Sequence, residues 1–241
     1  MTRRRFIANL WTPTTATLIG DQAVHLARVL RAEPGQTYDV VANGFLHRAE
    51  ITAVSDSEVH FTLHEELESD AALPLHLLLA VFKFDHMEWA IEKATELGIA
   101  RITPILARRT EKHLAQSAAK RVERWRRIAL EASKQSRRTT IPEIADPIAL
   151  KRALEQEQSP TRILLSETEQ ATTITTALLN AKSTPQETDT ALAIGPEGGW
   201  TPEEMALFAT HQWQAVTLGP RILRAETAAI AAIAIASSYL I

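Results

Sequence analysis

Two stretches in the last quarter of the chain gather residues capable of chemistry. The first is Ala191-Leu192-Ala193-Ile194-Gly195-Pro196-Glu197-Gly198-Gly199-Trp200, an apolar run that ends in a glycine-rich turn holding a carboxylate. The second is Ala215-Val216-Thr217-Leu218-Gly219-Pro220-Arg221-Ile222-Leu223-Arg224-Ala225-Glu226-Thr227, built the same way around two arginines and a glutamate. Gly-Pro halts a strand, and glycine leaves backbone N–H and C=O groups uncovered to face a ligand. Either loop alone also reads as a tight turn; two at adjacent strand ends, both carrying charges, point to a binding site. What is missing narrows the chemistry. Neither loop is G-x-G-x-x-G or G-x-x-x-x-G-K-[ST], so a conventional dinucleotide or nucleoside triphosphate site is not supported. The eight histidines form no H-E-x-x-H pattern, and no G-x-S-x-G elbow is present. His60 and His64 share a strand face without further ligands for zinc, so no metal is expected. The chain has no cysteine, which rules out a thiol nucleophile, a thiolate zinc site and a cysteine-bound iron–sulfur cluster.

Both loops need a scaffold, and the pattern around them predicts one. Thr201-Pro202-Glu203-Glu204 has an N-cap threonine, a first-position proline and a third-position glutamate, a capping box that opens a helix. Glu226-Thr227 opens an alanine- and isoleucine-rich helix. Each loop therefore sits at the carboxyl end of a strand, where open α/β sheets bind ligands. Upstream, Leu75 to Phe82 is apolar except for one histidine, as a strand covered on both faces would be. Asp85 with Glu88 predicts a cap for a helix through Met87, Ala90, Ile91, Ala94 and Leu97, which Gly98 ends. Ile102 to Leu106 reads as a second strand, with Arg108, Arg109 and Lys112 at its exit. Helices follow over about 114–135 and 147–156, then a strand from Arg162 to Ser166 whose exit, Ser166-Glu167, joins the same edge. Five parallel strands with intervening helices make residues 73–241 an α/β domain. Residues 1–72 read as a small, mostly β domain. There Asp21 is expected to cap a short helix, Asn43-Gly44 to turn a hairpin between Gln36–Ala42 and Phe45–Val54, and Glu58 to Leu63 to form a third strand. The acidic run from Glu65 to Asp70, before Pro74, is the expected linker.

The 241 residues, 45% hydrophobic and 23% charged, are ordinary for a soluble globular protein. A net charge of −3 does not announce a nucleic-acid binder, but its distribution is uneven. Between Lys120 and Arg138 stand eight basic and two acidic residues, and Arg3, Arg4 and Arg5 cluster at the start. Such a run is a solvated helix face or a phosphate-tracking patch. The basic start has no apolar stretch behind it and is no signal peptide, and the apolar run from Ala228 to Ile241 is too short to span a bilayer. Lack of cysteine fits a cytoplasmic protein.

The pair IGPEGG and LGPRILRAETA resembles the signature of the SPOUT methyltransferases, and within them the RsmE family of 16S ribosomal RNA uracil-N3 methyltransferases. The resemblance extends through Glu92-Lys93-Ala94-Thr95-Glu96-Leu97-Gly98, Thr103-Pro104, Glu131-Ala132, Gln135, Arg138 and Pro142. It reaches the N-terminal domain through His25 to Arg31 and Pro34-Gly35, and so covers nearly the whole chain in the family's order. One departure is Arg137, where relatives often have glycine.

The resemblance implies a trefoil knot in the C-terminal domain, a PUA-like barrel before it, a homodimer, and S-adenosylmethionine as cofactor. It implies a cradle for that cofactor made by Leu165, Ser166 and Glu167, by Gly195, Pro196, Glu197, Gly198 and Gly199, and by Leu218, Gly219, Ile222, Leu223 and Arg224, closing on Glu226, Thr227 and Ala228. Ile222 and Leu223 also read as core, and Thr227 as an N-cap. The implied reaction moves a methyl group to N3 of a uridine in small-subunit ribosomal RNA, in the assembled 30S subunit. Arg224 is the first candidate to stabilise charge on the uracil, and Glu197 or Glu226 could take the proton. Arg5, Arg28, Arg31, Arg108, Arg109 and Arg138 are the expected RNA contacts. N3 lies on the Watson–Crick edge, so the target base must be unpaired or flipped. Two alternatives stay open: a SPOUT enzyme acting on another RNA position such as a ribose 2′-hydroxyl, and a non-catalytic RNA-binding assembly factor.

Overall fold

The computed structural model describes residues 5–69, 72–181 and 189–240; Arg3, Arg4 and Asp70 lie outside the described residues. Contacts divide the chain into two units, Met1–Ala71 with Ser133–Thr140, and Ala72–Ala132 with Ile141–Ile241.

The first unit is a six-stranded sheet of β1 (Arg5–Ile7), β2 (Leu10–Trp11), β3 (Thr15–Ile19), β4 (Thr37–Ala42), β5 (Phe45–Val54) and β6 (Glu58–Leu67), in the order β1-β4-β5-β6-β3-β2. Only β1 and β4 pair in parallel. Asn43 (φ 52°) and Gly44 (φ 82°) both adopt the left-handed conformation that the tight β4–β5 turn requires. β6 runs four residues past the expected Leu63, because Leu67 pairs with Leu46 and Glu66 with His47. Glu65 and Glu66 are exposed within this strand, so much of the acidic run is strand rather than linker. The short helix α1 (Asp21–Val24) continues as a π turn over His25–Val29. Asp21 does not cap it: the N-cap is Gly20, at φ 67°, and no side chain bonds there. Phe6, Leu18, Leu26, Val40, Ile51 and Phe61 form the core of this unit.

The second unit is a wholly parallel sheet. Its strands are β7 (Leu75–Ala80), β8 (Arg101–Leu106), β9 (Glu143–Ile144), β10 (Ile148–Ala149), β11 (Thr161–Leu165), β12 (Thr190–Ile194) and β13 (Gln214–Val216). The order is β10-β8-β7-β12-β11-β13, with β9 also paired to β8. The five expected strands are present, and β9 and β10 are two-residue additions on β8. The helices are α2 (Phe84–Glu96), α3 (Lys112–Gln135), α4 (Leu150–Gln156), α5 (Ile174–Ala181), α6 (Pro202–Thr210) and α7 (Ala225–Leu240). Leu75, Leu77, Leu79, Leu192 and Ile194 face a core shared with α2, α3, α5 and α7. Leu78, Ala80, Ala191 and Ala193 face a second core with Leu150, Leu154, Trp200, Phe208 and Trp213. Burial on both faces is why these strands read as unbroken apolar runs.

Two helix starts differ from expectation. α2 has Lys83 at its N-cap with no side-chain bond, and Glu88 turns instead to Arg124 (2.6 Å) and Arg121 (3.7 Å). α4 begins at Leu150 because Ile148 and Ala149 are drawn into pairing with β8.

Candidate active site at the carboxyl edge of the parallel sheet

Because every strand of the second unit runs the same way, the exits of β8, β7, β12, β11 and β13 lie side by side in that order. The two Gly-Pro loops are therefore not on neighbouring strands, as their succession in sequence implied. β11 stands between β12 and β13, and Ser166-Glu167 emerges between the loops.

The first loop is packed on both sides. A Cβ on Gly195 would stand 3.0 Å from Trp200 Nε1, and one on Gly199, at φ 70°, would stand 2.9 Å from Glu167 Oε1. Arg109 donates from Nη1 to the Gly198 carbonyl (2.6 Å), so this arginine, expected to meet RNA, clamps the loop. The predicted capping box is present. Glu204 donates its backbone N–H to Thr201 Oγ1 (3.3 Å), and Glu204 Oε2 accepts the Thr201 N–H (2.9 Å). The buried Glu204 also accepts the Arg108 N–H at Oε1 (2.8 Å), tying the start of α6 to the exit of β8. The Arg108 side chain stays exposed.

The exit of β11 is held by short-range bonds. Ser166 Oγ lies 2.9 Å from Thr168 Oγ1, and Glu169 accepts N–H groups from Ala171 and Thr172, which hold its carboxyl below the ordinary value. Ser166 donates its N–H to the Val216 carbonyl (3.0 Å), joining β11 to β13 where both end. In the second loop, Gly219 (φ 115°) donates its N–H to Thr217 Oγ1 (3.1 Å). Beyond it Ile222 is 84% exposed, so it is not core, while Leu218 and Leu223 are half-buried. Arg224 is exposed, without an ion-pair partner among the described residues, and its carbonyl accepts the Ala228 N–H (2.8 Å). Thr227 lies inside the first turn of α7, so it is not the N-cap.

The exit of β7 brings two side chains that the sequence had not singled out. Lys83 Nζ lies 3.9 Å from Glu197 Oε2, and His86 Nδ1 lies 3.2 Å from Glu226 Oε1. Glu226 is only 3% exposed, and its Oε2 is buried without a hydrogen-bond partner among the described residues. A lysine and a histidine directly after an apolar strand were the available signal, and nothing local named their partners.

The remaining predicted RNA contacts belong to the first unit. Arg5 donates to the Arg137 carbonyl, Arg28 pairs with Asp56 (3.1 Å), and Arg31 is exposed. Burial pushes the Arg138 guanidinium down to about 10, leaving it cationic at neutral pH. The basic run on α3 is partly neutralised. Arg121 and Arg124 meet Glu88, while Arg126 meets Glu123 (2.6 Å) and Asp146 (3.1 Å).

A cavity of about 530 Å³ opens at the opposite, amino edge, lined among others by His76, Arg101, Thr103, Glu157 and Asp189. His76 is already bonded to Glu157 (2.5 Å) and Thr103 (2.8 Å), so these groups hold one another rather than await a reactant. Among the described residues no cluster of three or more acidic and histidine side chains could hold a metal ion.

The RNA methyltransferase domain family matches residues 69–237. The chain is 34% identical over 222 residues to ribosomal RNA small subunit methyltransferase E of Synechocystis, covering 91% of this chain and 72% of that one. It is 31% identical over 231 residues to the Bacillus subtilis protein of the same name, covering 93% and 90%. The solved structure of ribosomal RNA small subunit methyltransferase E from Neisseria gonorrhoeae, bound to S-adenosyl methionine, superposes with a TM-score of 0.79 at 29% identity, over 97% of this chain and 96% of that one. With its loops, sheet and relatives in agreement, this chain belongs to the ribosomal RNA small subunit methyltransferase E family.

Proposed function

We propose that the chain transfers a methyl group from S-adenosylmethionine to N3 of a uridine in small-subunit ribosomal RNA, with the assembled 30S subunit as substrate. The observation that carries this reading is the convergence of the β12, β11 and β13 exits at one edge. There, glycine-bared backbone from 195–199 and 218–219 lies beside the exposed Ile222 and half-buried Leu223. Such a lining suits an adenine, whose edges are read by main-chain groups in an apolar slot. When bound, S-adenosylmethionine supplies an electrophilic methyl group.

The chain's own residues do the rest. Leu165 to Glu167, Gly195 to Gly199, Leu218, Gly219, Ile222, Leu223 and Arg224, with Glu226, Thr227 and Ala228, hold and orient the cofactor, so that much of the rate comes from alignment. Arg224, exposed beside this cradle, stabilises negative charge on a uracil carbonyl as N3 loses its proton. Without cysteine, no adduct at a ring carbon is available, and transfer goes straight to nitrogen. Residues 1–72 form an RNA-gripping, PUA-like domain that works through Arg5, Arg28 and Arg31, with Arg138 beside them in the same contact unit. Residues 73–241 form the knotted catalytic domain, and two copies pair through α7. The protein works in the cytoplasm, where its substrate is.

Methyl transfer from labelled S-adenosylmethionine to small subunits lacking the modification tests this reading, with naked RNA alongside and the product nucleoside identified. Labelled N3-methyluridine is expected. A 2′-O-methylated product would move the chemistry to ribose, and cofactor binding without transfer to either RNA would remove the substrate assignment. Arg224→Ala is expected to lower kcat by on the order of 10²-fold at saturating cofactor, as removal of one charge-stabilising donor does, with cofactor affinity measured separately by equilibrium binding. Near-normal turnover would remove its central role.

A further inference from the structure

The charges at the carboxyl edge of the parallel sheet are ordered by strand. Across the exits of β8, β7, β12, β11 and β13 stand, in turn, Arg108, Lys83, Glu197, Glu167 and the pair Arg221 and Arg224, all of them exposed. Cations therefore hold both flanks of the edge, and carboxylates hold its centre. No short stretch of sequence shows this order, because β7 and β8 come from the start of the unit and β13 from its end. The flanks are not cancelled by their neighbours. Arg221 and Arg224 have no ion-pair partner among the described residues. Lys83 reaches Glu197 only at 3.9 Å with 58% of its side chain exposed, and an exposed pair of that length contributes little. The Glu203 carboxyl is held below its ordinary value by its own backbone N–H and by Thr201, with Arg108 adding a smaller attraction. Arg109, by contrast, is committed to the Gly198 carbonyl.

A polyanion crossing this edge is attracted at both sides and repelled in the middle. A uracil ring is neutral and meets no such barrier. From β7 to β13 is three interstrand spacings, about 14 Å, a gap that a few nucleotides of single strand bridge. We propose, resting on the RNA substrate of the proposed function, that Lys83 and Arg221 hold backbone phosphates on opposite sides of the target nucleotide. The strand then straddles the two glycine loops, and only the base enters between them. Glu197 and Glu167 keep phosphate out of the centre, which is specificity by repulsion. Phosphate contacts of this kind set register and orientation without reading sequence. They are contacts of the second unit, additional to the arginines of the first.

Equilibrium binding of the full chain to small subunits lacking the modification, repeated across a series of salt concentrations, tests the clamp. Lys83→Gln and Arg221→Gln each remove one charge from one flank. Each is expected to flatten the slope of log affinity against log salt by about 0.7 to 1, the signature of one lost phosphate contact. Each should also weaken binding roughly three- to tenfold at physiological salt, and the double variant should combine the two losses. Lys83→Arg keeps the charge and is expected to keep the slope. Arg101→Gln, at the amino edge of the sheet, is the control and is expected to change neither quantity. Affinity for S-adenosylmethionine is expected to match the wild type in every variant, which also shows that the fold is intact. A weakened affinity with an unchanged slope would mean that these side chains do not meet phosphate, and would overturn the proposal. A loss confined to one flank, or an equal loss in Arg101→Gln, would overturn it as well. If the wild type methylates the subunits while both glutamine variants bind as it does, the clamp alone is overturned. A wild type that neither binds nor methylates them would overturn the substrate reading beneath it.

Discussion

At the scale of single residues, the site depends on backbone that other side chains could not occupy. Gly199 combines a φ of 70° with a neighbour, Glu167 Oε1, 2.9 Å from where a Cβ would sit. Gly199→Ala is therefore expected to destabilise the fold by about 1–2 kcal/mol from the left-handed backbone alone. It should also push Glu167 aside and weaken S-adenosylmethionine binding; urea unfolding and calorimetry measure the two effects. Arg137 presents the opposite case. Its φ is 61°, in the left-handed region that favours glycine. Its carbonyl, not its side chain, accepts from Arg5, so Arg137→Gly preserves that bond. Relief of the left-handed strain, about 1–2 kcal/mol, is offset by about 0.4–1 kcal/mol of added unfolded-chain entropy. The net expectation is a small gain, visible as a slightly raised Tm. The glycines at 195–199 were legible in the sequence as a loop, but their packing partners Glu167, Arg109 and Trp200 were not.

At the scale of elements, local rules held where the determining contacts are local. The Asn43-Gly44 turn and the Thr201–Glu204 capping box both formed as read, because each is decided within a few residues. Asp85 with Glu88 failed as a cap because Arg124 and Arg121 on α3 compete for Glu88. His76, the lone polar residue in β7, is explained only by Glu157, just past the end of α4, and by Thr103 of β8. Burial raises the Glu157 carboxyl, but hydrogen bonds from His76 and the Ser159 N–H outweigh it and hold the group at about 2. The folded chain thus keeps this carboxylate ionised at pH values where the unfolded chain protonates it, near the ordinary 4.5. The stabilisation is present above about pH 4.5 and is lost as pH falls toward 2. Glu157→Gln is expected to destabilise by roughly 1–3 kcal/mol at pH 7, with the gap to wild type narrowing at pH 3. Urea titrations followed by circular dichroism at the two pH values would check it; a gap independent of pH would exclude the ionised Glu157 carboxylate as its source.

At the scale of the whole molecule, the proposed function gives α7 two roles, in the cofactor cradle and in subunit pairing. After Glu226 the helix carries no charged residue up to Leu240. Ala225, Ala229, Ala232, Ile233 and Ala236 are buried in this chain, whereas Thr227, Ala234 and Ser238 are exposed and Ile230, Ala231 and Ile235 half-exposed. An apolar helix with an uncovered small-residue face is compatible with the proposed homodimer, which the family resemblance implies. Ala234→Glu is expected to convert a dimer to monomer by light scattering, with the fold retained by circular dichroism. A monomeric wild type would remove the dimer.

The sequence by itself determined the class of most elements of the second unit and the Gly-Pro loops at the ends of two of its strands. Strand and helix periodicity, the Gly-Pro loops, the absence of cysteine and the ordered motifs are all written over short stretches of chain. Only the tertiary structure decided which stretches meet. It set β11 between β12 and β13, turned Arg109 onto Gly198, extended β6 through the acidic run, and brought His86 to Glu226. The reason is physical: these outcomes depend on strand order, register and competition among partners distant in sequence, and no local pattern of residues encodes which competitor wins.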